Sequence, residues 1–496
     1  MIADLPDLLA KRAALSPGRI ALEDGPGGRS LDYAALDARA DRAAALLATR
    51  GVGRGDRVAV LSRNRIEFFE LLFGCARLGA VLVPLNWRMP PAELDGLIAD
   101  SAPALLLHGA AEAGAARALA EPPPAIDLDR DYEALLAAAA PRRGRGRGRW
   151  PAGATWYLLY TSGTTGRPKG VIYTFGMALA NYLNIGGAIG LVSSDRTASF
   201  LPFFHTAGIN LHALPTLIAG GRVTVIDGFD AELILGLIEA RRIDTIFGVP
   251  TAYQSLLDHP RFAAAPLGAV RHWGCGGAPL PDALACAYRA LGVRLCNGMG
   301  MTETGPTAFL LDPADAWDRI GSVGKPQLLV SARIVDGAGR ELAEGEVGEL
   351  QFAGPGVTPG YWRNEQATRA AFTADGWLIS GDLARRDPDG FFWIAGRRKE
   401  MFISGGENVY PAEVENVLSA HPAIVDAAVL AEADPKWGEV GRAFVQLAPD
   451  GGRPAPDELQ AFCRARLAPY KVPRRFDFVA EFPRTSAGKI QKHLLA

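Results

Sequence analysis

Residues 161–170 read Thr161-Ser162-Gly163-Thr164-Thr165-Gly166-Arg167-Pro168-Lys169-Gly170, directly after the apolar run Trp156-Tyr157-Leu158-Leu159-Tyr160. Four hydroxyls, three glycines and two cations share these ten positions. A strand emptying into such a loop is suited to a polyphosphate. Its glycines let backbone N–H groups approach an anion, its hydroxyls donate, and Arg167 and Lys169 add charge. The spacing Gly163-x-x-Gly166-x-x-Lys169 is not that of the P-loop, and Pro168 removes an N–H where a P-loop would open its helix.

Outward from this loop, the first half of the chain alternates helix and strand patterns. Residues 31–50 carry Leu36, Leu46 and Leu47 at helical spacing, with Gly51 as a stop. Residues 57–61 read as a buried strand, 67–78 as a helix, and 81–84 as a strand; similar strands recur at 223–226, 245–249 and 294–296. Strands separated by helices of this length predict a doubly wound α/β sheet. Between about 322 and 395 short runs are punctuated by Asp336-Gly337, Gly339, Gly345, Gly348, Gly376 and Asp389-Gly390, the hairpin turns of a small β subdomain. After Gly396 the pattern changes again: a helix from Pro411, strands at 424–430 and 443–447, and a helix over 456–467. The expected organisation is α/β, with a large N-terminal domain over 1–396. A small α+β domain follows over 397–496.

Composition narrows the class. The 496 residues are 49% hydrophobic and 21% charged, with a formal net charge of −2, which excludes a dedicated nucleic-acid binder. The five cysteines (Cys75, Cys275, Cys286, Cys296, Cys463) contain no CxxC pair and fit reduced, buried thiols. The seven histidines show no metal-ligand spacing. With no signal-like N-terminus and no long apolar stretch, the expectation is a cytoplasmic protein. The run Pro141-Arg142-Arg143-Gly144-Arg145-Gly146-Arg147-Gly148-Arg149-Trp150 reads first as a solvated linker. Weak contact of Arg142 to Arg149 with an anionic membrane surface is its second reading.

Further segments stand in a fixed order around the loop. They are Leu201-Pro202-Phe203-Phe204-His205-Thr206-Ala207-Gly208, Gly274-Cys275-Gly276-Gly277-Ala278-Pro279-Leu280 and Asn297-Gly298-Met299-Gly300-Met301-Thr302-Glu303-Thr304. Then come Ser380-Gly381-Asp382, Gly396-Arg397-Arg398-Lys399-Glu400, the run from Ser404-Gly405-Gly406 to Glu415, and Pro483-Arg484-Thr485-Ser486-Ala487-Gly488-Lys489. The set spans nearly the whole chain and resembles the adenylate-forming superfamily: acyl-CoA synthetases, adenylation domains of peptide synthetases, and luciferases.

The resemblance implies ATP, Mg²⁺ and coenzyme A as cofactors and co-substrates, and a reaction in two halves. A carboxylate attacks the α-phosphorus of ATP and pyrophosphate leaves; a thiol then takes the acyl group and AMP leaves. It implies that Thr161, Ser162, Gly163, Thr164, Thr165, Gly166 and Lys169 hold the phosphates. Thr302 would donate to the α-phosphate, and Glu303, with Thr161, would hold Mg²⁺. Gly276, Gly277, Ala278, Asn297, Gly298, Met299 and Gly300 would take the adenine, and Asp382 and Arg397 the ribose. Phe204, His205, Ile209, Val249, Cys275, Gly276 and Met301 would line the acid pocket. Lys489 would stand between carboxylate and phosphate. Gly405, Gly406 and Trp437 would receive CoA after the C-terminal domain turns about a hinge at Lys399.

Met299 stands where many members of this superfamily carry Tyr, and a thioether packs on a ring by polarizability. His205 stands where amino-acid-activating domains place Asp, and the pocket segments carry almost no charge. The expected substrate is an apolar monocarboxylic acid, a fatty acid first, with an aryl or cinnamic acid as the alternative. Transfer to a carrier-protein thiol and a non-catalytic nucleotide sensor are the further alternatives. A homodimer stays open, and no nucleic-acid partner is expected. Lys489→Ala is expected to lose adenylation by about 10²–10³-fold while still converting a supplied acyl-adenylate to thioester. Half-reaction assays check this, and equal loss of both halves would contradict it.

Overall fold

The computed structural model describes residues 3–140, 149–161, 168–448, 452–485 and 488–495. Among them the predicted alternation is realised as two large sheets in a large N-terminal domain. One runs in the order Lys169–Thr174, Thr155–Thr161, Val81–Pro84, Arg57–Leu61, Leu105–His108, Ala125–Asp127. It is parallel except for its first pair. The other is centred on the parallel strands Arg196–Ser199, Thr245–Gly248, His272–Cys275 and Leu295–Met301. Strands covered on both faces read as apolar runs because neither face meets water, and Val81–Pro84 and Leu105–His108 are buried throughout.

Local chemistry sets the element ends. The first long helix starts at Tyr33, later than the apolar spacing alone indicates, because Asp32 Oδ1 caps it by accepting from Ala35 N–H at 2.7 Å. The helix Glu67–Leu78 is buried on nearly every face and carries Arg77 into the core. There Arg77 Nε meets Asp7 at 2.9 Å and Nη1 meets Asp41 at 2.7 Å, with Asp37 as a third carboxylate. A buried guanidinium needs such partners, and these tie the N-terminal segment to the helices Tyr33–Thr49 and Glu67–Leu78.

An antiparallel four-stranded sheet follows: Ser331–Val335, Gly348–Ala353, Leu378–Arg386, Phe392–Arg397. The small C-terminal domain packs Pro411–Ser419 and Pro456–Arg464 on a sheet built around Ile424–Asp434 and Gly438–Leu447, with Val414, Leu418, Val429, Val445 and Leu459 in its core. Further expectations shift, and the helix expected over 456–467 ends at Arg464. The strand expected at 294–296 continues to Met301. Cys286 is exposed on the helix Asp282–Ala290, while the other four thiols are buried. Arg142 to Gly148 of the arginine run lie outside the described residues. No helix is long and apolar enough to cross a membrane, among the described residues.

Candidate active site

Thr161 ends one strand and stands opposite Lys169 at the start of the antiparallel return. Ser162, Gly163, Thr164, Thr165 and Gly166 lie outside the described residues. The hairpin is strapped to a segment that no motif predicted. Trp362 N–H donates to Gly170 O at 2.7 Å, Ile172 N–H to Gly360 O at 3.1 Å, and Thr358 Oγ1 to Ile172 O at 2.7 Å. Thr358 N–H in turn donates to Glu303 O at 2.7 Å. Tyr361 is the central residue of the strap. Its hydroxyl donates to Glu303 Oε1 at 2.9 Å, and its ring centroid lies 5.1 Å from Lys169 Nζ. Burial and the Glu303 carboxylate push the phenol's pKa up, so it stays protonated and donates. The only sequence signal was the string Pro359-Gly360-Tyr361-Trp362, which carries no chemistry without this geometry.

The parallel strands bring the next segments together. Cys275 pairs with Asn297, so Gly276–Ala278 and Asn297–Met301 leave neighbouring carboxyl ends of one sheet, the usual place for a ligand in an α/β fold. The backbones touch: a Cβ on Gly276 would lie 2.7 Å from Gly298 O, so only glycine fits. Asn297 is buried and its Nδ2 donates to Ser322 O at 3.0 Å, which leaves Oδ1 as the atom to meet an amino group. Met299, Gly300 and Met301 finish the strand, and Thr302 and the buried Glu303 occupy the turn before Gly305–Leu310.

Asp382 and Arg397 are cross-strand partners, with Arg397 Nε 2.9 Å from Asp382 Oδ1. Asp382 is buried and Arg397 is exposed. Burial raises the pKa of Asp382, against the pull of Arg397 and Lys489. Lys399 follows in an exposed turn that leaves the four-stranded sheet, where Arg398 N–H donates to Gly381 O at 3.0 Å.

Lys489 belongs to the C-terminal domain and faces the large one. Its loop is a tight turn closed by Thr485 N–H to Lys489 O at 2.7 Å and by Arg484 Nη1 to Gly488 O at 3.0 Å. A Cβ on Gly488 would lie 3.4 Å from Thr251 Oγ1 and 3.9 Å from Val249 Cγ2. The Lys489 side chain keeps contact with solvent yet is crowded by protein. Burial and Arg397 lower its pKa, while Asp382, Glu303 and Glu400 oppose that. Thus Lys489, Glu303, Asp382 and Arg397 converge on one cleft. A reciprocal pair holds the domains together beside it: Asp282 N–H donates to Asn416 Oδ1 at 3.2 Å and Asn416 Nδ2 to Asp282 Oδ2 at 3.0 Å.

On the acid side, Phe204, Ile209 and Cys275 are buried, and Val249 lies beside both Gly277 and the Gly488 turn. His205, half-buried against the Phe204 ring, has its pKa pushed down to about 4 by burial, Lys489 and Arg88, so it is neutral at pH 7. The segment continues as a π-helix, Gly208–Ala213, a distortion common at functional sites. A buried polar network joins this segment to the hairpin. Tyr157 Oη donates to Asn210 Oδ1 at 2.8 Å, Asn210 Nδ2 to Thr206 Oγ1 at 3.2 Å, and Tyr173 Oη lies 3.1 Å from Thr206 Oγ1.

The expected CoA residues sit elsewhere, on the C-terminal domain. Trp437 is partly exposed and flanked by Lys436, with Nζ 5.0 Å from its ring, and by Arg474, with Cζ 6.0 Å away. Gly405 is held under that ring: its N–H donates to Trp437 O at 2.9 Å, and a Cβ would come within 2.7 Å of the indole. Gly406 faces open space.

Known proteins resemble this chain over nearly its whole length. The model of the AMP-binding enzyme family matches residues 9–362, and that of the AMP-binding enzyme C-terminal domain matches 413–489. A feruloyl-CoA synthase of an Amycolatopsis species is 41% identical over 97% of this chain and 96% of its own. A long-chain-fatty-acid–CoA ligase of Mycobacterium tuberculosis is 35% identical over 98% and 97%. The structure of o-succinylbenzoate CoA synthetase from Bacillus subtilis with ATP and magnesium superposes with a TM-score of 0.89 at 33% identity, covering 99% of each chain.

Tyr361→Phe removes a hydrogen bond to a carboxylate without emptying the site. It is expected to lower kcat/KM for ATP about 10–100-fold, from the ~1.5–3 kcal/mol of such a bond, with the fold intact. Steady-state kinetics and a thermal melt check this; unchanged kinetics would contradict it.

Proposed function

Because the chain belongs to the AMP-binding enzyme family and is an AMP-forming acyl-CoA ligase, we propose that its acid is an aryl acid of the arylpropenoic type. The observation that carries this is the greater identity to the feruloyl-CoA synthase, 41% against 35% for the long-chain-fatty-acid ligase. The aryl alternative of the sequence reading therefore replaces the fatty acid as the first choice. The sensor alternative falls with membership of the enzyme family.

The residues take these roles. Lys169 and the loop it closes hold the leaving pyrophosphate. Lys489 lies between the acid's carboxylate and the α-phosphate, offsetting the repulsion of two anions as the new C–O–P bond forms and the bond to pyrophosphate breaks. Thr302 donates to the α-phosphate. Asp382 accepts from the ribose hydroxyls with Arg397 beside it, and Asn297 Oδ1 accepts from the adenine amino group. Gly276 to Ala278 and Gly298 to Gly300 form the flat walls of the adenine site. His205 is a wall of the acid site and no general base, since the carboxylate is already ionised at pH 7. Phe204, Ile209, Val249, Cys275 and Met301 complete that wall.

A magnesium site fits the donors present. Glu303 is a single carboxylate oriented by Tyr361, and no cluster of three or more metal-ligating side chains exists among the described residues. A single carboxylate suits an ion that keeps waters and phosphate oxygens in its shell; Glu303 and Thr161 would hold it, and it would neutralise phosphate charge. For the second half-reaction, the domain after about residue 396 turns at Lys399. That turn withdraws Lys489 and brings Gly405, Gly406 and Trp437 toward CoA, whose thiolate takes the acyl group as AMP leaves. The described residues are consistent with a cytoplasmic enzyme.

A pyrophosphate-release assay with CoA across cinnamic, benzoic and long-chain fatty acids tests this reading. The expected kcat/KM for cinnamic acids exceeds that for fatty acids at least about tenfold, roughly 1.4 kcal/mol in transition-state binding. A preference for fatty acids would overturn it.

A further inference from the structure

Below the acid side lies a layer of polar side chains that the adenylation chemistry does not use. In the parallel sheet Thr197 pairs with Thr245, Thr245 with His272, and Phe247 with Gly274. Residues two apart on a strand share a face, so Thr245 and Phe247 point one way, as do His272 and Gly274. The π-helix Gly208–Ala213 covers this face and sends His212 into it. The His212 ring lies 6.0 Å from that of Phe247 and 6.4 Å from that of His272.

His212 is 5% exposed and His272 2%, and burial pushes both rings' pKa down to about 3, so both are neutral. The tautomer of His212 follows from its neighbour. Thr197 Oγ1 donates its one proton to Thr245 O at 3.0 Å, so its 3.2 Å contact with His212 Nδ1 must be a bond that it accepts. His212 Nε2 is then a bare acceptor. It has no partner among the described residues, and neither does either nitrogen of His272. Buried polar atoms left unpaired are costly, and such a layer calls for an occupant.

The layer is within reach of the acid. From Gly276 at the pocket to His272 is four residues along one face, about 13 Å. Gly274 and Gly276 bear no side chains along that track, and the Phe247 ring lies on it. A Cβ on Gly274 would be 2.5 Å from Phe247 Cδ2, and one on Gly276 3.1 Å from Phe247 Cζ. The Phe247 ring is thus the side chain that stands between the pocket glycines and the two histidines.

We propose that His212 and His272 form a polar end-stop to the acid pocket, reached past Phe247, which selects aryl acids bearing a hydroxyl far from the carboxylate. This rests on the aryl reading above. The hydroxyl donates to His212 Nε2 and accepts from the N–H that a neutral His272 carries. An acid with a two-carbon spacer before its ring spans the depth better than a benzoate. An apolar chain end would leave the histidines unpaired.

The test compares 4-hydroxycinnamate with 4-methylcinnamate, which match in size. In the wild-type enzyme kcat/KM should favour the hydroxy acid by at least about 100-fold, since a site built to bond a hydroxyl rejects the analogue lacking one. His212→Leu should collapse that ratio to within about threefold, the small discrimination left to an apolar pocket. Should that variant fail to fold, the wild-type ratio alone decides. Equal use of the two acids by wild type, or an unaltered ratio in His212→Leu, overturns the proposal and leaves an enclosed water as the occupant. Turnover of neither aryl acid, with a fatty acid accepted, overturns the aryl reading itself.

Discussion

The proposed chemistry brings two anions together, and the lysine proposed to stand between them is carried by a different domain from Glu303 and Asp382. Lys489 closes a turn on the C-terminal domain, facing Glu303 and Asp382 of the large domain, with Arg397 beside them. Its lowered pKa records the conflict: burial and Arg397 disfavour the ammonium and the carboxylates restore it. The position of the small domain is therefore part of the site, held by the Asp282–Asn416 pair and by the Gly488 turn against Val249 and Thr251. Gly405 and Trp437, the residues proposed to receive CoA, pack on one another within the small domain.

The large domain supplies rigidity. Tyr361 fixes Glu303 and lies beside Lys169, and the segment 358–362 bonds to both the hairpin and the Glu303 backbone. The Asn210–Thr206–Tyr173 network extends that frame to the acid side. A preorganised frame of this kind lowers the reorganisation needed as charge develops.

Much of this was legible in the sequence, for physical reasons. Helix Glu67–Leu78 and strands Arg57–Leu61 and Val81–Pro84 matched their reading because burial on both faces writes itself as apolar runs. Strand Leu295–Met301 was read short because Asn297, Gly298 and Gly300 carry weak strand propensity, and its later part is held by pairing with Gly305–Leu310. The motif residues Glu303, Asp382, Arg397 and Lys489 were named from their strings. Tyr361 was missed because its role exists only through contacts from distant segments. Gly405 was read as room for a ligand arm, and its seating of Trp437 was not foreseen. The histidine layer assembles from a helix and three strands through sheet register, which one-dimensional reading does not reach. The choice between fatty and aryl acids was unreadable for the same reason.

The most direct measurement is a crystal structure of the full chain with a non-hydrolysable aryl-acyl adenylate analogue. The account predicts Lys489 Nζ at hydrogen-bond distance, about 3 Å, from the acyl–phosphate junction, with Asp382 on the ribose hydroxyls and the aryl ring beside Phe247. An analogue bound with Lys489 beyond direct reach of that junction, while Asp382 holds the ribose, would contradict it.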